Sequence, residues 1–466
     1  MKKLLKKHNQ SHLLTFWGHL GAAERQNLLA QIRQLDLAKI DEWVAKFVKK
    51  SFSIGISRDL VPAQSYSPAP VDTAQKRKYD KAIKLGKELI SAGKVAALVV
   101  AGGQGTRLGF DGPKGNFPIS PVKKKTLFQI FAESIAAVSE KYRAVCPWYI
   151  MTSPLNYAET QEIFRGNNYY GLRESDVFIF QQGTFPNFSF DGKILLADKA
   201  NMACSPDGHG GCLKALCESG AVGDMKKRGI EFLSYWQVDN PLVNIFDPLF
   251  IGLHALDEAE MSSKALIKAG PKEKVGNFCL ADGKVTVIEY SDFPDELAEK
   301  QNPDGSLLFQ LGSIAIHIIS VSFVERLNAR GISLPLHRAV KKIPYIDEQG
   351  RFMEPDEPNG VKLETFIFDA LPMASKSVIL ETNRSEEFAP VKDTTGVDSV
   401  GKAKQMMVDR AAGWLESAGV DIPRKTDGSV DCTIEIAPSF ALGKEDIKAK
   451  PNQIPEIKPK DEIYLA

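Results

Sequence analysis

The chain is poor in the features that most quickly classify a protein. Cysteine is sparse: six residues in 466, namely Cys146, Cys204, Cys212, Cys217, Cys279 and Cys432, with no CxxC pair. Cys212 and Cys217 lack zinc-finger spacing and have no histidine at the right distance. A structural zinc site and a disulfide framework are thereby excluded, and a reduced, cytoplasmic protein with small buried thiols is expected. Neither sign of charge dominates, with 59 Lys and Arg against 58 Asp and Glu. No bulk field therefore draws the chain to nucleic acid or to an anionic membrane, and any cationic binding must be local. No apolar run reaches the roughly 18 residues that a membrane span needs. The start, Met1-Lys2-Lys3, looks briefly like a signal n-region. However, Leu13–Leu20 is broken by Thr15, Gly18 and His19, and no small-residue cleavage site follows. Internal repeats and low-complexity tracts are missing as well.

What is present is an ordinary globular balance, 43% hydrophobic and 25% charged. The length favours about three units. Residues 12–50 read as helices, with one stripe at Leu13, Leu14, Phe16, Trp17 and Leu20, capped by Ser11, and another at Leu28, Leu29, Ile32 and Leu35. Three prolines within 61–70 make that stretch an extended connector. A polar helix over 74–92 then leads through Gly93 into Val95–Ala101, a continuous apolar run of the kind buried on both faces of a parallel sheet. Similar runs recur at 148–152, 177–182, 232–238, 265–269 and 311–319, alternating with helical patterns, which gives an α/β class. Beyond about residue 400 a helix (403–417) and a short strand (431–436) suggest a small terminal domain or docked tail. The expected division is 1–72, a helical region with linker, 73–398, the main α/β domain, and 399–466, the small C-terminal domain or tail.

Directly after the first apolar run stands Ala101-Gly102-Gly103-Gln104-Gly105-Thr106-Arg107-Leu108-Gly109, then Pro113-Lys114-Gly115. The glycines permit positive φ and a close ligand approach, and consecutive amides can ring an anion. Ligands of open parallel sheets bind beyond the carboxyl ends of the strands, where this loop lies. It is not a P-loop, because no Gly-Lys-Ser/Thr follows. It is not a dinucleotide fingerprint either, because Leu108 stands where the third glycine belongs; a nicotinamide-dependent dehydrogenase is thereby set aside. A tight turn alone would account for the glycines, but not for Arg107 and Lys114, a guanidinium fork and an ammonium suited to a polyphosphate. Asp239 ends the run 232–238. It reads either as a turn or cap residue before Asn240-Pro241 or as a carboxylate that holds Mg²⁺ against a polyphosphate.

These motifs carry a resemblance. Leu98–Gly109 with Pro113-Lys114-Gly115 is similar to the nucleotide loop of the eukaryotic-type UDP-N-acetylglucosamine pyrophosphorylases. The likeness continues in that family's order through Trp148–Ser153, Gln181–Gly183, Ser189–Ile194, Pro206–Gly208 with Gly210-Gly211, Val238–Asn240, Pro344-Tyr345 and Pro358–Lys362. It spans about residues 12–395. It implies a Rossmann-like nucleotidyltransferase domain with a mostly parallel central sheet, flanked by a helical N-terminal region and a small C-terminal domain. It also implies the reaction of UTP with a hexose 1-phosphate to give a UDP-sugar and pyrophosphate.

By the same resemblance Arg107 and Lys114 hold the β- and γ-phosphates, and Lys392 is a further phosphate contact. Ala101, Gly102, Gly103, Gly105 and Thr106 line the nucleotide. Gln182 and Gly183 read uracil, Gly208, Gly210 and Gly211 let the backbone approach the nucleoside, and His209 contacts the uridine phosphate or base or else is a loop histidine facing water. Asp239, Asn240, Gly276, Glu289, Ser313, Phe366 and Phe368 form the hexose pocket, although the helix-like setting of the phenylalanines over 362–370 would also suit plain core packing. Asp239 is the metal-linked residue, with Mg²⁺ as cofactor.

Two positions depart from the family. His209 stands where Asn is usual, as in the Gly-His-Gly of related UDP-glucose pyrophosphorylases. Ser313, in Phe309-Gln-Leu-Gly-Ser313, replaces an asparagine that contacts the sugar. N-acetylglucosamine 1-phosphate is the first expectation for the sugar. Glucose 1-phosphate or several sugars are the alternatives, and a non-catalytic UDP-sugar binder is the reading from another class. Oligomeric state has no signature in the sequence.

Overall fold

The computed structural model describes residues 1–50 and 59–466; residues 51–58, within the expected N-terminal region, lie outside the described residues. Contacts gather the chain into two compact units. One is Met1–Arg58, Gln182–Cys212 and Ser333–Ala370; the larger is Asp59–Gln181, Leu213–Ile332 and Leu371–Ala466. The units therefore cut across the linear division at 72 and 398, because each is assembled from segments distant in sequence.

The larger unit is built on a ten-stranded mixed sheet. Its parallel part follows the order 232–237, 95–100, 148–152, 177–181. The run Val95–Val100 lies between two parallel neighbours and is buried along nearly its whole length, as its unbroken hydrophobicity requires. Beyond Phe232–Gln237 the sheet turns antiparallel, through Leu311–Ser320 and then Met261–Ile267 and Gly276–Ala281. Trp148 and Trp236, on the same face of the sheet and on either side of Val95–Val100, stack with centroids 6.5 Å apart. The helix Thr73–Ser91 is capped by Asp72, which accepts from the Gln75 N–H, and packs on Pro248–Leu256. The expected connector is not free chain. Val61–Pro62 pairs antiparallel with Leu280 and Cys279, and Tyr66 exchanges backbone bonds with Ile379 and Glu381. The prolines fit because this is a sheet edge, where missing N–H donors cost nothing. The C-terminal segment also docks, Glu462–Leu465 running parallel to Thr433–Ile436.

In the smaller unit, the stripe expected as a helix at 13–20 is two short 3₁₀ turns, Ser11–Leu14 and Trp17–His19. The reason is tertiary. Buried Gln10 donates to the Gly192 carbonyl and accepts from the Ile194 N–H (both 2.9 Å), while His12 meets the Ile194 carbonyl at 2.7 Å, so the backbone follows these anchors. Ser11 lies inside the first turn; Gln10 is its N-cap. A three-stranded sheet joins His337–Lys341, Gly360–Glu364 and Phe188–Ser189. The stretch expected to be helix-like over 362–370 is thus the end of a strand followed by a 3₁₀ segment, Ile367–Met373. No helix among the described residues is long and apolar enough to cross a membrane. Four cysteines are buried as expected, but Cys204 is exposed and Cys217 half-exposed.

Candidate active site

In the larger unit the glycine-rich loop leaves the strand Val95–Val100 at Ala101, which is fully buried. Its left-handed residues are Gly109 (φ 66°) and Gly112 (φ 134°), not Gly103 or Gly105, which keep ordinary backbone angles. Gly105 is required for another reason: a Cβ there would lie 2.8 Å from the Phe110 ring. Gly103 is exposed and a Cβ on it would meet nothing within 4 Å, so its open side is free for a ligand. The loop closes on itself through Gly105 N–H to the Gly112 carbonyl (2.9 Å) and Lys114 N–H to the Gly103 carbonyl (3.1 Å). Asn156, fully buried and not singled out from the sequence, braces it. Its amide donates to the Ala101 and Gly103 carbonyls and accepts from the Ser153 N–H. Its position just past the end of the strand 148–152 is the signal that could have found it.

Four charges gather at this loop. Lys114 is only 8% exposed. Burial pushes its ammonium below the usual lysine range; Asp239 opposes that shift, and Arg107 and Lys392 reinforce it. The Lys114 ammonium lies 3.4 Å from the Val391 carbonyl, and the Val391 N–H donates to the Asp239 carbonyl at 2.8 Å. Lys392 is also drawn from water, yet Asp239 and Asp398 (3.1 Å) outweigh that cost and raise its pKa. Arg107 is exposed, and among the described residues its guanidinium has no carboxylate partner. The Asp239 side chain likewise accepts no hydrogen bond among the described residues. The fold thus brings Arg107, Lys114, Lys392 and Asp239 together. Asn240, beside them, is 3% exposed. Its amide donates one N–H to the Glu387 carbonyl and accepts from the Leu242 and Ala389 N–H groups, which fixes the side chain and occupies its oxygen. No group of three or more His, Cys, Asp or Glu side chains among the described residues is arranged to hold a metal ion.

Gly276, Glu289 and Ser313 form a second group in the same unit. Gly276 pairs with Ser313 across two antiparallel strands, and a Cβ on Gly276 would lie 3.6 Å from a Glu289 carboxylate oxygen and 3.7 Å from the Ser313 Cβ. Ser313 precedes an irregularity in its strand where Ala315 takes φ 54°, which turns the local register.

In the smaller unit Gln182 directs its NH₂ to Asp207 (2.9 Å) and to the Gly208 carbonyl (3.0 Å). Both partners are pure acceptors, so both amide donors are used and Oε1 is the group left for a ligand. Gly183 and Gly211 flank the Asp207 carboxylate, where a Cβ would come within 2.6 and 2.1 Å of it. Gly208 and Gly210 lie as tightly on the backbone of Thr365 and Phe366. These glycines are thus dictated by the fold itself. The His209 Nδ1 accepts from the Ile367 N–H at 3.1 Å, and its ring stacks on Phe366 (5.1 Å, 12°) and meets Phe368. Burial, helped by His337, lowers its pKa to about 4, so the ring is neutral near pH 7 with its proton on Nε2. His337, also missed from the sequence, stacks on Phe366 at 4.1 Å and bonds Asp369 at 2.8 Å. Phe366 and Phe368 are thus brought together with His209, at the end of a strand.

Comparison with known proteins follows the same lines. The family described as UTP–glucose-1-phosphate uridylyltransferase matches residues 58–463. The chain is 36% identical over 437 residues to the UDP-N-acetylglucosamine pyrophosphorylase of Saccharomyces cerevisiae, covering 90% of this chain and 91% of that one. It is 36% identical over 432 residues to the human UDP-N-acetylhexosamine pyrophosphorylase-like protein 1, covering 89% and 85%. The crystal structure of the uridine diphosphate N-acetylglucosamine pyrophosphorylase of Trypanosoma brucei, solved with an inhibitor, superimposes with a TM-score of 0.83 at 28% identity, covering 99% of this chain and 96% of that one.

Proposed function

The chain belongs to the UTP–glucose-1-phosphate uridylyltransferase family, and from that premise we propose that this uridylyltransferase joins UTP to N-acetylglucosamine 1-phosphate, releasing pyrophosphate. The observation that carries the chemistry is the cluster of Arg107, Lys114 and Lys392 around Asp239 at the carboxyl end of the parallel strands.

A sugar-phosphate oxygen, already anionic, attacks the α-phosphorus of UTP. The new P–O bond forms as the bond to the α,β-bridging oxygen breaks, and that oxygen leaves with the electron pair as pyrophosphate. No proton need move, so the obstacle is repulsion between anions and their alignment. Arg107 and Lys114 hold the β- and γ-phosphates and stabilise the leaving charge. Lys114 suits this because its charge is poorly solvated and so unscreened toward a ligand. Lys392 holds the phosphate at the reacting centre. On the nucleoside, the Gln182 Oε1 is an acceptor, matched to the N3–H of uracil and mismatched to the N3 lone pair of cytosine.

Mg²⁺ is the proposed cofactor. An uncommitted Asp239 carboxylate with no further acidic ligand set fits a hard cation that takes one or two carboxylates and completes its shell from water and phosphate oxygens. When bound, it neutralises and orients phosphate oxygens. Asp239, Asn240, Gly276, Glu289, Ser313, Phe366 and Phe368 are the proposed sugar contacts. A serine at 313 favours a second reading on specificity, use of several hexose 1-phosphates, because it offers no bidentate amide to a single one.

The test is pyrophosphate release from UTP and Mg²⁺ with the 1-phosphates of N-acetylglucosamine, N-acetylgalactosamine, glucose and galactose. Release is expected, fastest with N-acetylglucosamine 1-phosphate. No release with any of the four would overturn the reading in favour of a non-catalytic UDP-sugar binder.

A further inference from the structure

The two stretches that carry Asp239 and Lys392 are far apart in sequence, and the larger unit ties them together repeatedly. The main chain supplies one tie, Val391 N–H to the Asp239 carbonyl. Asn240 supplies a second, bonding Glu387 and Ala389. Lys264, 1% exposed, supplies a third from below: its ammonium meets Glu387 at 2.5 and 2.6 Å and Asp247 at 2.7 Å. The fourth comes from the C-terminal helix Val400–Glu416, to which neither the sequence motifs nor the reaction assigns a role. Arg410 on that helix sends one guanidinium nitrogen to two carbonyls, Leu242 at 2.8 Å and Glu386 at 3.1 Å. Leu242 lies three residues after Asp239, and Glu386 six residues before Lys392.

We propose that Arg410 is a positioning residue for the uridylyl transfer: by bridging the Leu242 and Glu386 carbonyls it sets the spacing of Asp239 and Lys392, and so makes the C-terminal helix part of the catalytic apparatus.

The physical case is the cost of the arrangement. Arg410 makes no ion pair among the described residues and rests against the Trp414 ring at 5.0 Å. Burial works against its charge, pushing its pKa down to about 10 despite Glu386 and Glu387. A guanidinium spent on two carbonyls in such a setting is poor value for stability alone, since an apolar residue would avoid the desolvation. Its geometry is what an apolar residue cannot supply: one rigid donor group fixing two backbone segments at once. Misplacement of reacting groups by about 1 Å can cost on the order of 10²-fold in rate. The proposal rests on the proposed assignment of Asp239 and Lys392 to the reaction.

The experiment compares wild type with Arg410→Met and Arg410→Lys in the full-length protein, measuring kcat and KM for UTP and for N-acetylglucosamine 1-phosphate, with a thermal melt of each. Wild-type activity establishes the reaction itself, and without it the functional reading fails, whatever the variants do. Given an active wild type, Arg410→Met is expected to lose about 10- to 100-fold in kcat with KM changed less than about threefold, and Arg410→Lys to recover kcat to within about threefold of wild type. A folded Arg410→Met with unchanged kcat, or with its loss confined to KM, overturns the proposal. So does an Arg410→Lys no better than the Met variant. If Arg410→Met does not fold, Arg410→Gln is read instead; its shorter amide cannot span both carbonyls, and an unchanged kcat there also overturns the proposal.

Discussion

Lys114→Met separates function from stability. In the folded protein Lys114 is 8% exposed, its pKa is lowered chiefly by burial, and the one hydrogen bond of its ammonium among the described residues, to the Val391 carbonyl, is long at 3.4 Å. A lowered lysine pKa means that the charged form is disfavoured by folding. The penalty is present below the folded-state pKa and is relieved as pH rises from there toward the ordinary lysine value of 10.5, because the unfolded chain then holds more protons. Methionine fills nearly the same volume without the charge. The variant is therefore expected to melt at or above the wild-type temperature, with a rise of about 1–2 °C for each kcal/mol recovered in a chain of this length. Activity moves the other way. Loss of one preorganised cation from a developing phosphate charge costs about 2.7–4 kcal/mol, or 10²–10³ in kcat. Pyrophosphate release at saturating UTP gives the first quantity and a calorimetric melt at pH 7.5 the second. A variant that melts clearly lower than wild type, or that keeps kcat within about threefold, refutes the argument that Lys114 is a strained cation retained for its chemistry.

Other consequences are open to simple tests. His254 sits in the core between Ser262 (2.7 Å) and Ser320 (3.0 Å), and burial pushes its pKa down to about 3. It is neutral when folded and protonates near 6.5 when unfolded, so stability is full above that value and falls as the solution is acidified from about 6.5 toward 3, by about 1.4 kcal/mol per pH unit for this group. Denaturant midpoints of wild type and His254→Gln across pH 7 to 4.5 should diverge in slope, and equal slopes contradict the assignment. At the helix contact of the larger unit, Gly252→Ala drives a Cβ to 1.8 Å from the Ala82 carbonyl and should cost about 1–3 kcal/mol or more. Gly413→Ala, on the C-terminal helix with nothing within 4 Å, should gain about 0.5–1 kcal/mol. Urea unfolding distinguishes them, and a stable Gly252→Ala shows that the helices separate freely. Ser313→Asn should shift the kcat/KM ratio of N-acetylglucosamine 1-phosphate over glucose 1-phosphate by about tenfold, and an unmoved ratio removes Ser313 from the sugar-reading set.

Much of the larger unit was legible because local pattern and burial agree there. Val95–Val100 and Trp148–Thr152 are uninterrupted apolar runs, and a strand flanked on both sides by parallel neighbours needs that and little else. The loop from Ala101 to Gly115 combines small residues with Arg107 and Lys114, a pairing of backbone access and positive charge whose chemistry survives whatever surrounds it. Its backbone was less legible: left-handed angles fall at Gly109 and Gly112, because φ depends on how the loop closes on itself. The stripe at 13–20 misled for a related reason. Its spacing suits a helix, but Gln10 and His12 are bonded to residues some 180 positions away, and those anchors override a weak local preference.

From the sequence alone came the α/β class, the anion-binding loop and the identity of the charges able to serve it, since these follow from hydrophobic period, chain flexibility and side-chain chemistry, all properties of neighbours along the chain. Only the tertiary structure made an edge strand of Val61–Pro62, spent the Gln182 donors on Asp207 and Gly208, and joined Asp239 to Lys392 through Asn240, Lys264 and Arg410. Pairings between distant segments leave no periodic trace in either segment. They are selected by the geometry of the whole fold, which decides where each unsatisfied donor and acceptor finds its partner.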